Sequence, residues 1–400
     1  MYSLQKMMYF AVQQACGIPL SYVGAGMHLY GAKHLSGGTN MKKRAGKTAA
    51  IVIACLCVVA VVAVIIVDCI SSKGEYSAST TLMNTVVKLD ISGEKAEETG
   101  EKITKRIAEL ENSALSKFSA ASAVSEINES AGDFVDVSSF SYETGDGDSW
   151  NPGELVADVA KRCAELAERS GGAFSPILGK VIDLWGFGTD NAGVPDKTEL
   201  EKCVSALKSG KLEVVDGKVK IPVGTALDFG AVGKGVACEE VRKVLESTDT
   251  ERAIVAVGGS ILLYGEGESF TVGVRNPLGG STEVIGHLTL GPSCVSTSGA
   301  YERYFMEDGE RYHHILVPSN GFPVKNDLLS VTVISEDGFL SDALSTTCFV
   351  LGYEKSLELL ESYNAQALFI FDDKRVRVTS GLTDCFEMQS DDFLLSLGEA

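Results

Sequence analysis

Asp342 and Thr346 lie four residues apart in a segment, 341–347, that has a helical pattern. Residues i and i+4 share one face of a helix, so the carboxylate and the hydroxyl would point the same way. Oxygen ligands of this kind suit Mg²⁺, with phosphate oxygens completing its shell. In the alternative interpretation, Asp342 is a favourable charge near a helix N-terminus and Thr346 bonds back to a main-chain carbonyl. The spacing leaves both open.

A glycine-rich segment, residues 228–235, has three glycines and Lys234 at the predicted start of a helix. Main-chain N–H groups at a helix N-terminus attract anions, and a lysine adds a positive charge. The segment is therefore a candidate phosphate-binding turn, although its spacing is not that of a Walker A loop. A tight strand-to-helix turn without a ligand is the alternative.

Two adjacent histidines, His313 and His314, follow a region rich in tyrosine and arginine. Neighbouring residues of a strand point to opposite faces, so only one of the two needs to face a site. Imidazole is the usual proton acceptor near neutral pH, which makes one of them a candidate general base. A purely structural histidine is the alternative.

The elements that would position these groups are a mixture of helices and strands. Helical spacing is found at residues 94–115, 154–169, 340–351 and 353–363, and the segment 228–246 predicts a turn followed by a helix. Strand patterns are found in RAIVAV, SILLYG, FTVGVR, EVIGHLTL, LSVTVIS, ALFIFD and RVRV; Gly258 and Gly259 join the first two as a hairpin turn or bulge. Because many strands are neighbours in sequence, we predict an α+β fold of mixed, mainly antiparallel sheets with flanking helices.

The composition excludes several classes of protein. The 400 residues carry a net charge of −19 and are 45% hydrophobic, enough for a large core. Residues 1–47 have six basic residues and no acidic one, whereas residues 71–400 have a net charge of −24. An acidic body argues against nucleic-acid binding, which needs a basic face. The cysteines of this body are scattered without a CxxC pair, so we expect neither a disulfide scaffold nor a zinc site.

Residues 48–67 form a stretch of twenty residues without a charge. A helix of this length matches the ~30 Å hydrocarbon core of a bilayer. Basic residues precede it, so the positive-inside rule places residues 1–47 in the cytoplasm and the body outside. We predict a cell-membrane protein with one transmembrane or signal-anchor helix over 48–67, a linker over 68–79, an extracytoplasmic domain over 80–390 and a tail over 391–400. A lipid anchor at Cys69 is a less favoured alternative. In a further alternative, translation starts at Met41 and residues 1–40 are not part of the protein.

Seven motifs in order along the body together resemble the ApbE family of flavin transferases. They are LSKFSAASAVSEIN (115–128), GGAFSPILGKVIDLWGFG (171–188), LDFGAVGKG (227–235), AIVAVGGSILLYG (253–265), STSGAYERYF (296–305), HHILVPSNGFPV (313–324) and SDALSTTCFVLG (341–352). The early STTLMNTVVKL also resembles the family's first strand, with Met83 in place and Asn84 where a glycine is usual.

The resemblance implies a single large ApbE-like domain and a reaction. An FAD:protein FMN transferase cleaves FAD at its diphosphate, moves FMN to a Thr or Ser hydroxyl of an acceptor flavoprotein, and releases AMP. The cofactor of this reaction is Mg²⁺. The resemblance implies Asp342, Thr346 and the Gly233 carbonyl as metal ligands, Lys234 near the phosphates and His314 as base. The residues implied to bind FAD are Met83, Lys234, Gly258, Gly259, Ser298, Gly299, Tyr301 and Glu302.

The chain departs from the family pattern at four positions: Ser175, Ala256, Ser260 and Val317. Aspartate is usual at the first and the last of these, and asparagine at the second. An acid or an amide is usual where Ser260 stands. Two other activities therefore remain open: an Mg²⁺-dependent FAD pyrophosphatase that releases FMN and AMP, and a membrane-anchored FAD-binding module without turnover.

Overall fold

The computed structural model describes residues 74–140, 142–143 and 149–396. Its α-helices are α1 (Ala96–Glu109), α2 (Ala123–Glu129), α3 (Pro152–Arg169), α4 (Gly179–Trp185), α5 (Lys197–Lys208), α6 (Gly233–Glu246), α7 (Gly338–Leu351) and α8 (Tyr353–Ser362). A π-helical turn, Leu110–Leu115, continues α1. Short 3₁₀ turns lie at Val137–Ser139 and Ser380–Leu382.

The strands are β1 (Glu75–Leu82), β2 (Thr85–Gly93), β3 (Val135–Asp136), β4 (Tyr142–Glu143), β5 (Ser149–Trp150), β6 (Glu213–Val215), β7 (Lys218–Lys220), β8 (Thr250–Val257), β9 (Ser260–Tyr264), β10 (Phe270–Arg275), β11 (Val284–Leu290), β12 (Ser293–Gly299), β13 (Tyr304–Glu307), β14 (Glu310–His313), β15 (Leu328–Ser335), β16 (Gln366–Phe371), β17 (Arg375–Val378), β18 (Phe386–Met388) and β19 (Leu394–Leu395).

A nine-stranded sheet organises the domain, in the order β1-β2-β8-β9-β12-β15-β16-β17-β19. All of its pairs are antiparallel except β17 with β19. Smaller sheets are formed by β10-β11-β18, β3-β7-β6, β13-β14 and β4-β5. The predicted α+β class with mainly antiparallel sheets is therefore confirmed.

Successive side chains of a strand point to opposite faces of the sheet, so the large sheet has a core on each face. On β8, Ala253, Val255 and Val257 join the main core, which also contains the buried faces of α1, α6 and α7. Ile254 points the other way, to a second cluster that includes Phe270 of β10 and residues of β11 and β18. The sheet is thus covered by helices on one side and by the three-stranded sheet on the other.

Helices α6 and α7 approach each other at two glycines, Gly235 and Gly338. A Cβ atom on Gly235 would collide with the main-chain oxygen of Gly338 and lie 2.8 Å from Cβ of Asp342. The converse holds for Gly338, whose Cβ would collide with the main-chain oxygen of Gly235. The absence of side chains at this crossing lets the first turns of both helices lie next to each other.

Gly235→Ala should therefore lower the free energy of unfolding by about 2 kcal/mol, because an added methyl at a closed backbone contact forces the helices apart. Gly291→Ala is the matched control, since a Cβ there meets nothing within 4 Å. Thermal unfolding of the full-length chain measures both; equal melting temperatures for the two variants would contradict the tight crossing.

Two predicted boundaries are wrong. Strand β1 begins at Glu75, inside the predicted linker 68–79, and pairs with β2 along its whole length, from Glu75 opposite Ser92 to Leu82 opposite Thr85. Strand β19 lies inside the predicted tail 391–400 and pairs with β17. The first error arises because β1 is an edge strand whose residues are exposed or half-buried, so it carries no apolar stripe.

The predicted span 48–67, the basic segment before it and Cys69 lie outside the described residues. Within the part of the chain that the structure describes, no helix is both long enough and apolar enough to cross a bilayer.

Candidate functional site

Asp342 lies in the second turn of α7, and its buried carboxylate accepts three kinds of donor. The main-chain N–H of Gly235 donates to Oδ2 at 3.0 Å, and the hydroxyl of Ser260 donates to Oδ1 at 3.2 Å. The Lys234 ammonium lies 3.1 Å from Oδ1 and 3.3 Å from Oδ2. A buried charge is tolerated only when it is paired and hydrogen-bonded, so this set of donors explains how Asp342 stays in the core.

The N-terminus of α7 is fixed by a charged network. Asp337 caps it by accepting from the N–H of Leu340 at 2.7 Å. Arg162 of α3 donates to Asp337 at 2.6 Å and to Glu239 of α6 at 3.0 Å. Glu239 in turn accepts from the N–H of Phe339. One arginine therefore holds the first turn of α7 against α6, and with it the position of Asp342.

A row of hydroxyls fixes the register of α7 against β12. Ser296 and Ser298 are two residues apart and therefore share one face of the strand. The hydroxyl of Ser296 bonds to that of Ser341 at 2.9 Å, and the hydroxyl of Ser298 bonds to that of Ser345 at 2.8 Å. Ser298 also lies 3.0 Å from the hydroxyl of Thr346. Thr346 is half-buried, on the same helical face as Asp342.

The donor set at this place fits a hard divalent cation. Asp342 offers a carboxylate, Thr346 offers a hydroxyl one turn further on, and Gly233, at the start of α6, would add a main-chain carbonyl. Such oxygen donors suit Mg²⁺. Among the described residues there is no group of three or more His, Cys, Asp or Glu side chains that could hold a metal.

Met83 reaches this region from the turn between β1 and β2. Met83 and Asn84 both have positive φ, 52° and 55°, as a tight two-residue hairpin turn requires. Asparagine tolerates this conformation, which explains how Asn84 stands where the family usually has glycine. The N–H of Met83 donates to Glu111 at 2.9 Å, and the Met83 methyl lies 3.5 Å from where a Cβ on Gly233 would be.

Gly258 and Gly259 form the tight turn between β8 and β9. Gly258 has a φ of 58°, and a Cβ there would lie 2.5 Å from the Thr85 hydroxyl. The carbonyl of Gly259 accepts from the N–H of Thr297 at 3.0 Å, and a Cβ on Gly259 would lie 3.5 Å from a carboxylate oxygen of Glu302. The predicted hairpin is confirmed, and the turn lies beside Glu302.

Tyr301 and Glu302 follow directly after β12. The Tyr301 ring packs on the glycine at position 299, where a Cβ would collide with it, and the Arg275 guanidinium lies 4.7 Å from the ring centroid. Burial raises the pKa of Tyr301 to about 12. Reduced solvation also raises the pKa of Glu302, while Lys234, Arg303 and Arg275 act in the opposite direction. Lys234 and Arg275 therefore place positive charge beside the Glu302 carboxylate.

The two histidines differ in their surroundings. His313 is buried, with Nε2 3.0 Å from the carbonyl of Val324 and Nδ1 accepting from the N–H of Ile315 at 3.3 Å. Nδ1 of His314 is buried and has no hydrogen-bond partner among the described residues. Burial lowers the pKa of His314 to about 3, and the positive charges of Arg303 and Lys234 add to this effect. Both ring nitrogens of His313 are thus bound by the main chain, whereas Nδ1 of His314 has no partner among the described residues.

A hairpin anchored by aromatic residues joins Glu302 to His314. Phe305 of β13 and Tyr312 of β14 stack on each other at 5.3 Å, and both contact the buried ring of Trp185. The Trp185 indole N–H donates to the carbonyl of Gly321 at 2.8 Å. The chain on both sides of His314 is therefore tied to α4.

Sequence reasoning missed the roles of several residues at this site. In the sequence Ser260 is only a departure from the family pattern, yet in the structure it bonds directly to Asp342. The sequence patterns considered above do not point to Arg162, Asp337 or Glu239. A capping aspartate just before a helical pattern is a readable signal for Asp337, whereas the long-range partners of Arg162 leave no local trace.

Residues 83–369 match the model of the ApbE family. The match spans well over half of the chain, which therefore belongs to the ApbE family. The chain is 39% identical over 246 residues to an FAD:protein FMN transferase of Treponema pallidum, covering 56% of this chain and 68% of the relative. It is 33% identical over 224 residues to an FAD:protein FMN transferase of Klebsiella pneumoniae, covering 55% and 70%.

Solved structures agree with this assignment. An ApbE protein from Thermotoga maritima superposes with a TM-score of 0.67 at 28% identity, covering 77% of this chain and 98% of that one. The apo form of the Pseudomonas stutzeri flavinyl transferase ApbE has a TM-score of 0.63 at 23% identity, covering 80% and 98%; it supports the fold. The predicted family is confirmed.

Proposed function

We propose that this chain is an FAD:protein FMN transferase, which moves FMN from FAD to a Thr or Ser hydroxyl of an acceptor flavoprotein and releases AMP. The relatives named above carry this activity in their names. The observation that carries the proposal is the meeting of a buried carboxylate, Asp342, with Lys234 at the first turn of a helix and the hydroxyl of Thr346. This is a site for a diphosphate and a cation.

The reaction forms one bond and breaks one bond. The acceptor hydroxyl oxygen bonds to the phosphorus of the FMN half of FAD, and the bond from that phosphorus to the bridging oxygen breaks. AMP leaves with the bridging oxygen. The hydroxyl proton goes to Nδ1 of His314, which has no hydrogen-bond partner among the described residues and belongs to a neutral imidazole. Positioning and charge stabilisation supply most of the rate in phosphoryl transfer, so His314 needs only to accept this proton.

Mg²⁺ is the proposed cofactor, held by Asp342, Thr346 and the Gly233 carbonyl. When bound, it supplies neutralisation of the charge that develops on the diphosphate. Lys234, in the first turn of α6, binds the phosphates. Met83, Gly258, Gly259, Ser298, Gly299, Tyr301 and Glu302 line the proposed FAD site.

We also propose that residues 48–67 anchor the protein in the cell membrane and that the catalytic domain lies outside the cytoplasm. The support is the uncharged stretch and the six basic residues before it. The acceptor would then be an exported or membrane-bound flavoprotein.

One incubation tests the function. The full-length chain is mixed with FAD, Mg²⁺ and the unmodified form of a bacterial flavoprotein whose threonine accepts FMN, and flavin fluorescence is read in a denaturing gel. We expect a fluorescent acceptor band and AMP in equal amounts, both absent when the acceptor threonine is replaced by valine. Free FMN and AMP without a labelled band would instead indicate a pyrophosphatase. Bound FAD that remains intact would indicate a binding module.

A further inference from the structure

The ion pair between Lys234 and Asp342 is asymmetric. The Asp342 side chain is 3% exposed, whereas that of Lys234 is 26% exposed. Asp342 is also held by two donors that cannot leave: the N–H of Gly235 belongs to the helix backbone, and Ser260 is buried and accepts from Ser296 at 3.0 Å. The carboxylate therefore keeps its position without the lysine, although it still requires a cation because it is buried.

Lys234 can leave this pair without a large rearrangement. Its ammonium is a point charge on a flexible four-carbon stem, and part of the side chain already reaches solvent. The ammonium addresses both oxygens of Asp342, at 3.1 and 3.3 Å. A divalent cation on Asp342 and Thr346 would need the same oxygens, and two cations on one carboxylate repel each other.

We propose that Lys234 is an exchangeable counter-ion: it neutralises Asp342 until a divalent cation takes the carboxylate, and it then turns to the diphosphate of the substrate. The inference rests on the proposed function, which supplies the diphosphate ligand. One lysine thereby serves two anions in turn, and it makes binding of the cation alone weaker than binding of the cation together with a diphosphate. In this way the site favours loading both together.

The test replaces Lys234 by methionine, which keeps the length of the side chain and removes its charge. Mg²⁺ affinity is measured by calorimetry on the full-length chain without FAD, and FAD affinity is measured by flavin anisotropy at saturating Mg²⁺. We expect Lys234→Met to bind Mg²⁺ about tenfold more tightly and FAD about tenfold more weakly, each near 1.4 kcal/mol. Tighter Mg²⁺ binding together with weaker FAD binding indicates that the two ligands share this lysine. A loosened fold would weaken the binding of both ligands.

Two control variants sharpen the result. Ser260→Ala removes a fixed donor of Asp342, so it should weaken Mg²⁺ binding. Lys355→Gln removes an exposed charge on α8 and should change neither affinity. Unchanged or weaker Mg²⁺ binding by Lys234→Met would overturn the proposal. These readouts do not involve an acceptor, so a chain that shows the opposite shifts but labels no acceptor would refute the transferase activity and not the exchange.

Discussion

Asp342→Asn should reduce FMN transfer by about 10³-fold, which corresponds to about 4 kcal/mol of transition-state stabilisation. Asparagine keeps the shape of the side chain, and its single carbonyl oxygen can still accept from either Gly235 or Ser260. It removes the negative charge that both Lys234 and a divalent cation require. Breaking a buried ion pair on one side typically costs 3–5 kcal/mol, but here Lys234 is partly exposed and can be hydrated instead. The loss should therefore fall on activity more than on stability.

The measurement is the initial rate of acceptor labelling, together with calorimetric titration of Mg²⁺ and thermal unfolding of the same variant. Mg²⁺ binding should disappear from the measurable range while the melting temperature stays close to that of the wild type. Asp158→Asn, an exposed carboxylate on α3, is the matched control and should behave like the wild type. Wild-type labelling by Asp342→Asn would remove the carboxylate from the mechanism.

His314→Gln should lower the transfer rate by about 10²–10⁴-fold, the range expected for loss of a general base. FAD binding should remain within a factor of about three, because no charge is lost from the neutral imidazole. The variant is compared with His287→Gln, a histidine of β11 in the separate three-stranded sheet, which should keep wild-type rates. A parallel loss of FAD affinity would assign His314 to binding instead of proton transfer.

The pH dependence follows from the same residue. Burial and the nearby positive charges lower the pKa of His314 to about 3 in the folded chain, so the imidazole stays neutral as the pH falls from 8 to 5. No acidic limb with a midpoint near 6.5 should appear in kcat/KM, which reports the free enzyme. In the unfolded chain the histidine takes up its proton near pH 6.5. His314 therefore lowers stability progressively as the pH falls from about 6.5 towards 3. His314→Gln should remove this part of the pH dependence of unfolding.

The sequence was sufficient for the elements that carry the site but not for their contacts. The patterns of α6 and α7 predict the helices, and the face shared by Asp342 and Thr346 follows from their spacing. The bond from Ser260 to Asp342 depends on sheet register, since Ser260 lies opposite Ser296 across β9 and β12. That register is set by the packing of whole strands and cannot be read from either segment.

The family resemblance singles out His314, but the different surroundings of His313 and His314 cannot be read from the strand pattern. Both residues have the same chemistry, and alternation along a strand says only that they point to opposite sides. In the structure the carbonyl of Val324 lies 3.0 Å from Nε2 of His313, whereas Nδ1 of His314 has no partner among the described residues. This carbonyl belongs to a turn eleven residues further along the chain.

Hydrogen exchange at the glycine contact between α6 and α7 also reports opening of the site. The N–H of Gly235 is buried and donates to Asp342 from within that contact. A buried, bonded amide exchanges its hydrogen for deuterium only when the surrounding structure opens. The exchange rate of this single amide therefore reports how often the two helices separate. Ligands that close the site should lower the logarithm of this rate in proportion to the free energy by which they stabilise the closed state.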